Sequence, residues 1–196
     1  MKGGVFGGGR RYGPRGMGES RIIFKHCAEA LLNGLGSDLT PQLKEKLSKF
    51  GLAPDRELPP AFDAEQWTQI LKVVAESLQP NDPPAAHHQI GERITDAYLD
   101  NFIGRALKPV IKLIGIRRAM GRMRQNFRVA NNYSEAEATE VEPGHMRLHV
   151  NETGMMAYFY RGILARGLLI CDPKNLRVEI ASEDPTGVVF SVRWDP

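Results

Sequence analysis

Residues 136–150 read AEATEVEPGHMRLHV, and this stretch decides the fold. Ala136, Ala138 and Val141 alternate with Glu137 and Glu140. After Pro143-Gly144, Met146, Leu148 and Val150 alternate with Arg147 and His149. A period of two on both sides of a turn signal predicts a β-hairpin with one buried face. Downstream, Met155 to Leu169 has a helical period, with Tyr158, Phe159, Ile163 and Leu164 as its apolar positions. Leu176, Val178 and Ile180 then alternate, Asp184-Pro185-Thr186-Gly187 turns, and Val188, Phe190, Val192 and Trp194 alternate again. The C-terminal third therefore reads strand, strand, helix, strand, strand.

Upstream of the hairpin the apolar period is helical throughout. Ile22-Ile23-Phe24 leads into Cys27, Ala28, Ala30, Leu31 and Leu32, a short helix stopping near Gly34 or Gly36. Thr40 as N-cap and Pro41 at the first helical position start a second helix, and Gly51 ends it. Asp63 and Gln66 have the spacing of a capping box, followed by Trp67, Ile70, Leu71, Val74 and Leu78 on one face. Beyond a proline linker at 80–84, Ile90, Ile94, Ala97, Tyr98 and Phe102 recur at three and four. The pattern restarts after Gly104 as Leu107, Val110, Ile111 and Ile114, and after Gly115 as Ile116, Ala119, Met120 and Met123. The expected fold is α+β. About six helices form a helical half (21–128), packed on a four-stranded, largely antiparallel sheet in a ββαββ half (133–196), all one domain. Residues 1–20 are rich in Gly and Arg with almost nothing to bury, and are expected to form a disordered tail.

The composition, 42% hydrophobic and 25% charged, is that of an ordinary soluble globule, but the net charge of +3 hides a segregation. Residues 101–134 carry Arg105, Lys108, Lys112, Arg117, Arg118, Arg122, Arg124 and Arg128 and no acid, whereas residues 26–100 are acidic. Two readings of the basic helices stay open. They offer a surface for an anion or a partner, extended by the loop Asn131, Asn132 and Tyr133. Alternatively they are a solvated face paired with acids such as Glu92 and Asp96. The Asn131-Asn132-Tyr133 turn also reads as a structural junction, since Asn bonds readily to its own backbone.

Catalytic and metal signals are weak. The sequence has no nucleophile elbow, phosphate-cradling loop or paired-carboxylate motif. His87-His88 has no second ligand pair and reads as an exposed helix start, so no metal site is expected. Cys27 and Cys171 read as buried free thiols. No apolar run approaches the ~20 residues of a membrane span, and no apolar leader follows the first basic residues. A cytoplasmic protein is expected.

A family resemblance adds to this. Leu31-Leu32-Asn33-Gly34-Leu35-Gly36, Ile103-Gly104-Arg105-Ala106-Leu107, Asn126-Phe127-Arg128-Val129-Ala130-Asn131-Asn132-Tyr133 and Phe190-Ser191-Val192-Arg193-Trp194 resemble a paralogous family of myxobacterial proteins of unknown function. The layout is also similar to the heme nitric-oxide/oxygen binding (H-NOX) domain, a helical half followed by two strands, a helix and two strands. That family needs a proximal His on the last long helix and a Tyr-x-Ser-x-Arg triplet. Here Ile103 to Met123 holds no His, and Tyr133-Ser134-Glu135-Ala136-Glu137 keeps only the Tyr, so no heme or other cofactor is expected.

The first functional expectation is a non-catalytic sensory or regulatory domain that binds a small apolar ligand or a protein partner. Its candidate pocket is Tyr98, Phe102, Ile111, Met120, Met123, Phe159 and Tyr160. The second is nucleic-acid or nucleotide binding through the basic helices 105–128 and the tail. A homodimer through an open sheet edge or a helix face fits the same fold.

Overall fold

The computed structural model describes residues 20–196, apart from the side chains of Phe102, Ile103 and Leu107. The predicted tail and the Phe102 side chain lie outside the described residues.

The helical half begins with a short strand, β1 (Ile22–Phe24), where the sequence suggested only a lead-in to a helix. It pairs antiparallel with β2 (Ala61–Asp63), placing Ile23 opposite Phe62. Between them lie α1 (Lys25–Leu35), which ends at Gly36, and α2 (Pro41–Ser48). The Thr40 hydroxyl accepts from the Leu43 N–H at 3.2 Å, as the N-cap reading predicts. In α3 (Ala64–Leu78) the capping box is complete: Asp63 accepts from the Glu65 N–H, and the Asp63 N–H donates to Gln66.

Next comes α4 (Pro83–Asp100), capped by Asp82. His87 is buried in its first turns, with Nδ1 2.8 Å from the Pro83 carbonyl, so the exposed helix start expected at His87-His88 is corrected. Helix α5 (Phe102–Gly121) begins earlier than the restart after Gly104 suggested. Asn101 supplies the cap by accepting from the Gly104 N–H. Pro109 lies inside it and Gly115 breaks it, with φ 75° and ψ 164°, a conformation that suits only glycine. Helix α6 (Met123–Ala130) completes the half and extends further than the apolar period suggested.

The C-terminal half is β3 (Ala136–Glu142), β4 (His145–Val150), α7 (Met155–Gly167), a 3-10 turn (Leu168–Cys171), β5 (Arg177–Asp184) and β6 (Gly187–Arg193). The sheet order is β3-β4-β6-β5 and every pair is antiparallel. The hairpin register pairs Ala138 with Leu148 and Ala136 with Val150, and the break in alternation near Val141 is an irregularity of pairing. Met146, Leu148 and Val150 of β4 and Val188, Phe190 and Val192 of β6 are buried, while Arg147 and Arg193 face solvent.

One core joins the halves. Helix α7 lies on the sheet and its opposite side crosses α4. Ile116, Ala119, Met120, Met123 and Phe127 from α5 and α6 enter the same core as Phe159 and Tyr160 of α7. Phe127 meets Tyr160 edge-on with centroids 4.9 Å apart, and Phe159 meets Tyr160 at 5.7 Å.

Candidate functional site

The turn between α6 and β3 sits at the seam of the two halves. Buried Asn131 accepts at its side-chain oxygen from the Tyr133 and Ser134 N–H groups, at 3.0 and 2.7 Å, and its amide donates to the Ser134 hydroxyl. That hydroxyl is 2.7 Å from the Tyr160 phenol. Burial raises the Tyr160 phenol far above the ordinary tyrosine range, so it stays protonated. Asn132 reaches the other way. Its side chain accepts from the Ile22 N–H at 2.9 Å and donates to the Ser20 carbonyl. Asn151 ties the turn to the end of β4 by bonding Glu135 N–H and the Tyr133 carbonyl. Three asparagines thus join β1, the turn and the sheet.

Beside this knot lies a cleft of about 390 Å³ lined by Arg21, Asp63, Glu65, Thr68, Tyr133 and Glu152, with Met156 in its wall. The Arg21 guanidinium stacks 4.0 Å from the Tyr133 ring centroid and donates to the Glu152 carboxylate at 3.1 Å. Glu152 is buried, and burial raises its carboxyl above the usual range, with Arg21 and then Tyr133 opposing. Burial, then the Glu152 charge, pushes the Tyr133 phenol well above its ordinary value. Arg21 belongs to the helical half and Glu152 to the sheet half, so this pair is a clasp across the seam. The sequence reading named Tyr133 but missed Arg21 and Glu152, which are 131 residues apart.

The basic helices are largely neutralised. Lys108 pairs with Asp100 at 2.8 Å and Lys112 with Asp172 at 3.1 Å. Arg117 pairs with Glu140, and Arg124 and Arg128 share Glu135. Arg105, Arg118 and Arg122 have no carboxylate partner among the described residues. The expected partners Glu92 and Asp96 serve other groups, His88 and Arg166. Most of the pairing acids come from the sheet half, because α5 and α6 run along the edge of β3.

Of the predicted pocket residues, Met120, Met123, Phe159 and Tyr160 are buried core, and Tyr98 and Ile111 are half-buried. None of them lines the seam cleft, nor a second groove of about 570 Å³. That groove runs between α5 and the turn after α7. Its floor is Leu99, Pro109, Leu169 and Ile170, and its rim is Lys108, Lys112, Arg166 and Asp96. Among the described residues no group of three or more His, Cys, Asp or Glu side chains is placed to hold a metal ion. No helix among them is long and apolar enough to cross a membrane.

With this geometry in place, comparison with known proteins fixes the family. A family model described as "Protein of unknown function (DUF2378)" matches residues 21–195. The chain belongs to that family. No curated relative matches this DUF2378 protein. Among solved structures it is similar to an Fe(II) unliganded H-NOX protein from K. algicida, at 12% identity and TM-score 0.62, over 89% of this chain and 97% of that one. It is similar also to an oxygen-binding H-NOX domain related to soluble guanylate cyclases, at 15% identity and TM-score 0.61, over 87% and 90%. At such identities the likeness is one of fold. The DUF2378 protein has an H-NOX-like fold, as its strand–strand–helix–strand–strand order implied.

Proposed function

We propose that this DUF2378 protein is a non-catalytic sensory or regulatory domain. It takes a small polar ligand at the seam between its halves, passes the response to a protein partner, and works without a histidine-ligated heme. The observation that carries this reading is the Arg21–Glu152 clasp stacked on Tyr133 at the lip of the 390 Å³ cleft. A ligand entering there competes with the one charged bond described between the two walls, so occupancy is coupled to how the halves sit. Asp63, Glu65 and Glu152 outnumber Arg21 in the lining, which favours a ligand bearing an amine.

Two further observations support the rest. An H-NOX-like fold suits a sensory domain, although fold alone does not fix function. For heme, α5 and α6 carry no His, and the residues that α6 and α7 present to each other are in direct ring contact, Phe127 against Tyr160. A flat macrocycle needs two parted contact layers and an axial donor, and these residues supply neither.

The test is a thermal-shift screen of small amines and amino acids, followed by native mass spectrometry of the hits. Expected are hits that stabilise the wild type and lose their effect in Glu152→Gln and Tyr133→Leu. A screen without stabilising compounds, or hits indifferent to both substitutions, would overturn the seam as the ligand site.

A further inference from the structure

Helix α5 is apolar on two sides. Its inward side sends Ile111 and Ile114 against the core. Its outward side carries Ala106, Pro109, Val110 and Leu113, all exposed, with Leu113 87% and Val110 52% accessible. Their spacing is i, i+3, i+4, i+7, the pattern of a helix face that packs on another element. Single exposed apolar residues are ordinary, but a four-residue stripe at helical spacing is not. Arg105 and Lys112 flank the stripe along one side. Pro109 belongs both to the stripe and to the groove beside Leu169, so the apolar surface continues into a recess able to receive a side chain.

We propose that this face docks an acidic amphipathic helix of a partner protein, with its apolar anchors on Val110 and Leu113 and its carboxylates facing Arg105 and Lys112. This deepens the regulatory reading above, and rests on it for the role of the partner. Charge selects the occupant. Helix α5 holds five cations and no acid, and Arg105 and Lys112 flank the stripe itself, so a second copy laid α5 against α5 would bring like charges together. The segment before Ser20 holds Lys2, Arg10, Arg11 and Arg15 against one acid, Glu19, and is repelled in the same way. The bonds that a partner must compete with are weak. Lys112 is held only by Asp172, whose side chain is 78% exposed, and Arg105 has no carboxylate partner among the described residues. Ion pairs as exposed as this one add little to stability.

The probe is a fluorescent synthetic peptide of three heptads with Leu at a and d and Glu at e and g, beside a twin with Lys at e and g. Expected is saturable binding of the Glu peptide, none of the Lys peptide, and weakening in high salt. Leu113→Asp and Val110→Asp should each weaken it roughly tenfold or more, as should the double variant Arg105→Glu/Lys112→Glu. Both apolar positions are exposed, so an unchanged circular dichroism spectrum and melting temperature will show that the variants fold. Equal binding of both peptides, no binding of either, or indifference to the substitutions overturns the proposal. So does a wild-type dimer in sedimentation that Leu113→Asp dissociates, because the face then belongs to a second copy. Ligand stabilisation at the seam is read independently, so failure here leaves that reading standing, and the reverse holds too.

Discussion

Gly91 on α4 and Gly162 on α7 face each other at a crossing so close that the two backbones touch. A Cβ built on Gly91 would fall on the carbonyl of Phe159, and one on Gly162 would fall on the carbonyl of His88. The contacts are backbone on both sides, so no side chain can swing away. Gly162→Ala must therefore push α7 off α4 and disturb the sheet beneath it. Overpacking of this kind costs about 1–3 kcal/mol, and rigid backbone neighbours place this site at the upper end. Urea unfolding should show that loss as a lowered midpoint with an unchanged m-value. Gly121, which has open space around its missing Cβ, should accept Ala without loss and serves as the control.

Asn131→Ala removes three bonds at once, from the Tyr133 N–H, the Ser134 N–H and the Ser134 hydroxyl. Ser134 is fully buried, so its groups cannot turn to bulk water. Leaving buried polar groups unpaired costs about 1–3 kcal/mol each, and a loss of roughly 3 kcal/mol is expected. Tyr160→Phe deletes only the far end of the same chain of bonds and should cost about 1 kcal/mol. If the two variants lose equal stability by denaturant unfolding, Asn131 does not organise the turn as described.

The two thiols should differ in reactivity. Cys27 donates to the Ala130 carbonyl at 3.5 Å, and burial pushes its thiol up to about 12. Cys171 lies near the Ile111 carbonyl on the inner side of α5, and burial also raises it, with less of the group buried. Alkylation depends on thiolate and access. Iodoacetamide in the native state should therefore label Cys171 first and leave Cys27 until the protein unfolds, as read by peptide mass mapping. Faster labelling of Cys27 would contradict the packing of α1 on the end of α6.

Much of the fold was legible because its signals are local. The Asp63–Gln66 capping box, the Thr40-Pro41 helix start and the alternation in β4 and β6 are each written within a few residues. What was missed depends on distant segments. β1 has three residues, and its partner strand lies beyond the second helix in a proline-rich region, so Ile22-Ile23-Phe24 looked like a helix lead-in. His87 is buried despite a polar residue type that suggests exposure, because its ring bonds the Pro83 carbonyl, a partner that the sequence does not mark. The seam was legible by half. Asn131, Asn132 and Tyr133 stood out as a run, whereas Arg21 and Glu152 had no local mark, and only folding brings them to Tyr133. The basic run was plain in the sequence, but the acids that neutralise it sit in the sheet half, where charge segregation alone gave no pairing.

The seam clasp makes its own pH prediction. Burial is the largest influence on Glu152 and raises its carboxyl above the ordinary value of 4.5, while Arg21 pulls the other way. The folded state thus holds this proton more tightly than the unfolded chain does. That contribution to stability is full below the unfolded value and is lost as pH rises through the folded one. Glu152→Gln keeps the shape and stays neutral at every pH. The variant's melting temperature minus that of the wild type should therefore be small near pH 4 and should rise as pH climbs above the ordinary carboxylate range. Removing the carboxylate leaves Arg21 without its partner, but Arg21 is half-exposed, so water takes over its solvation at little cost. Paired melts across this range decide the sign. A difference that falls with pH would mean that the bond to Arg21 outweighs burial, and the clasp would then close more tightly, not less, as Glu152 ionises.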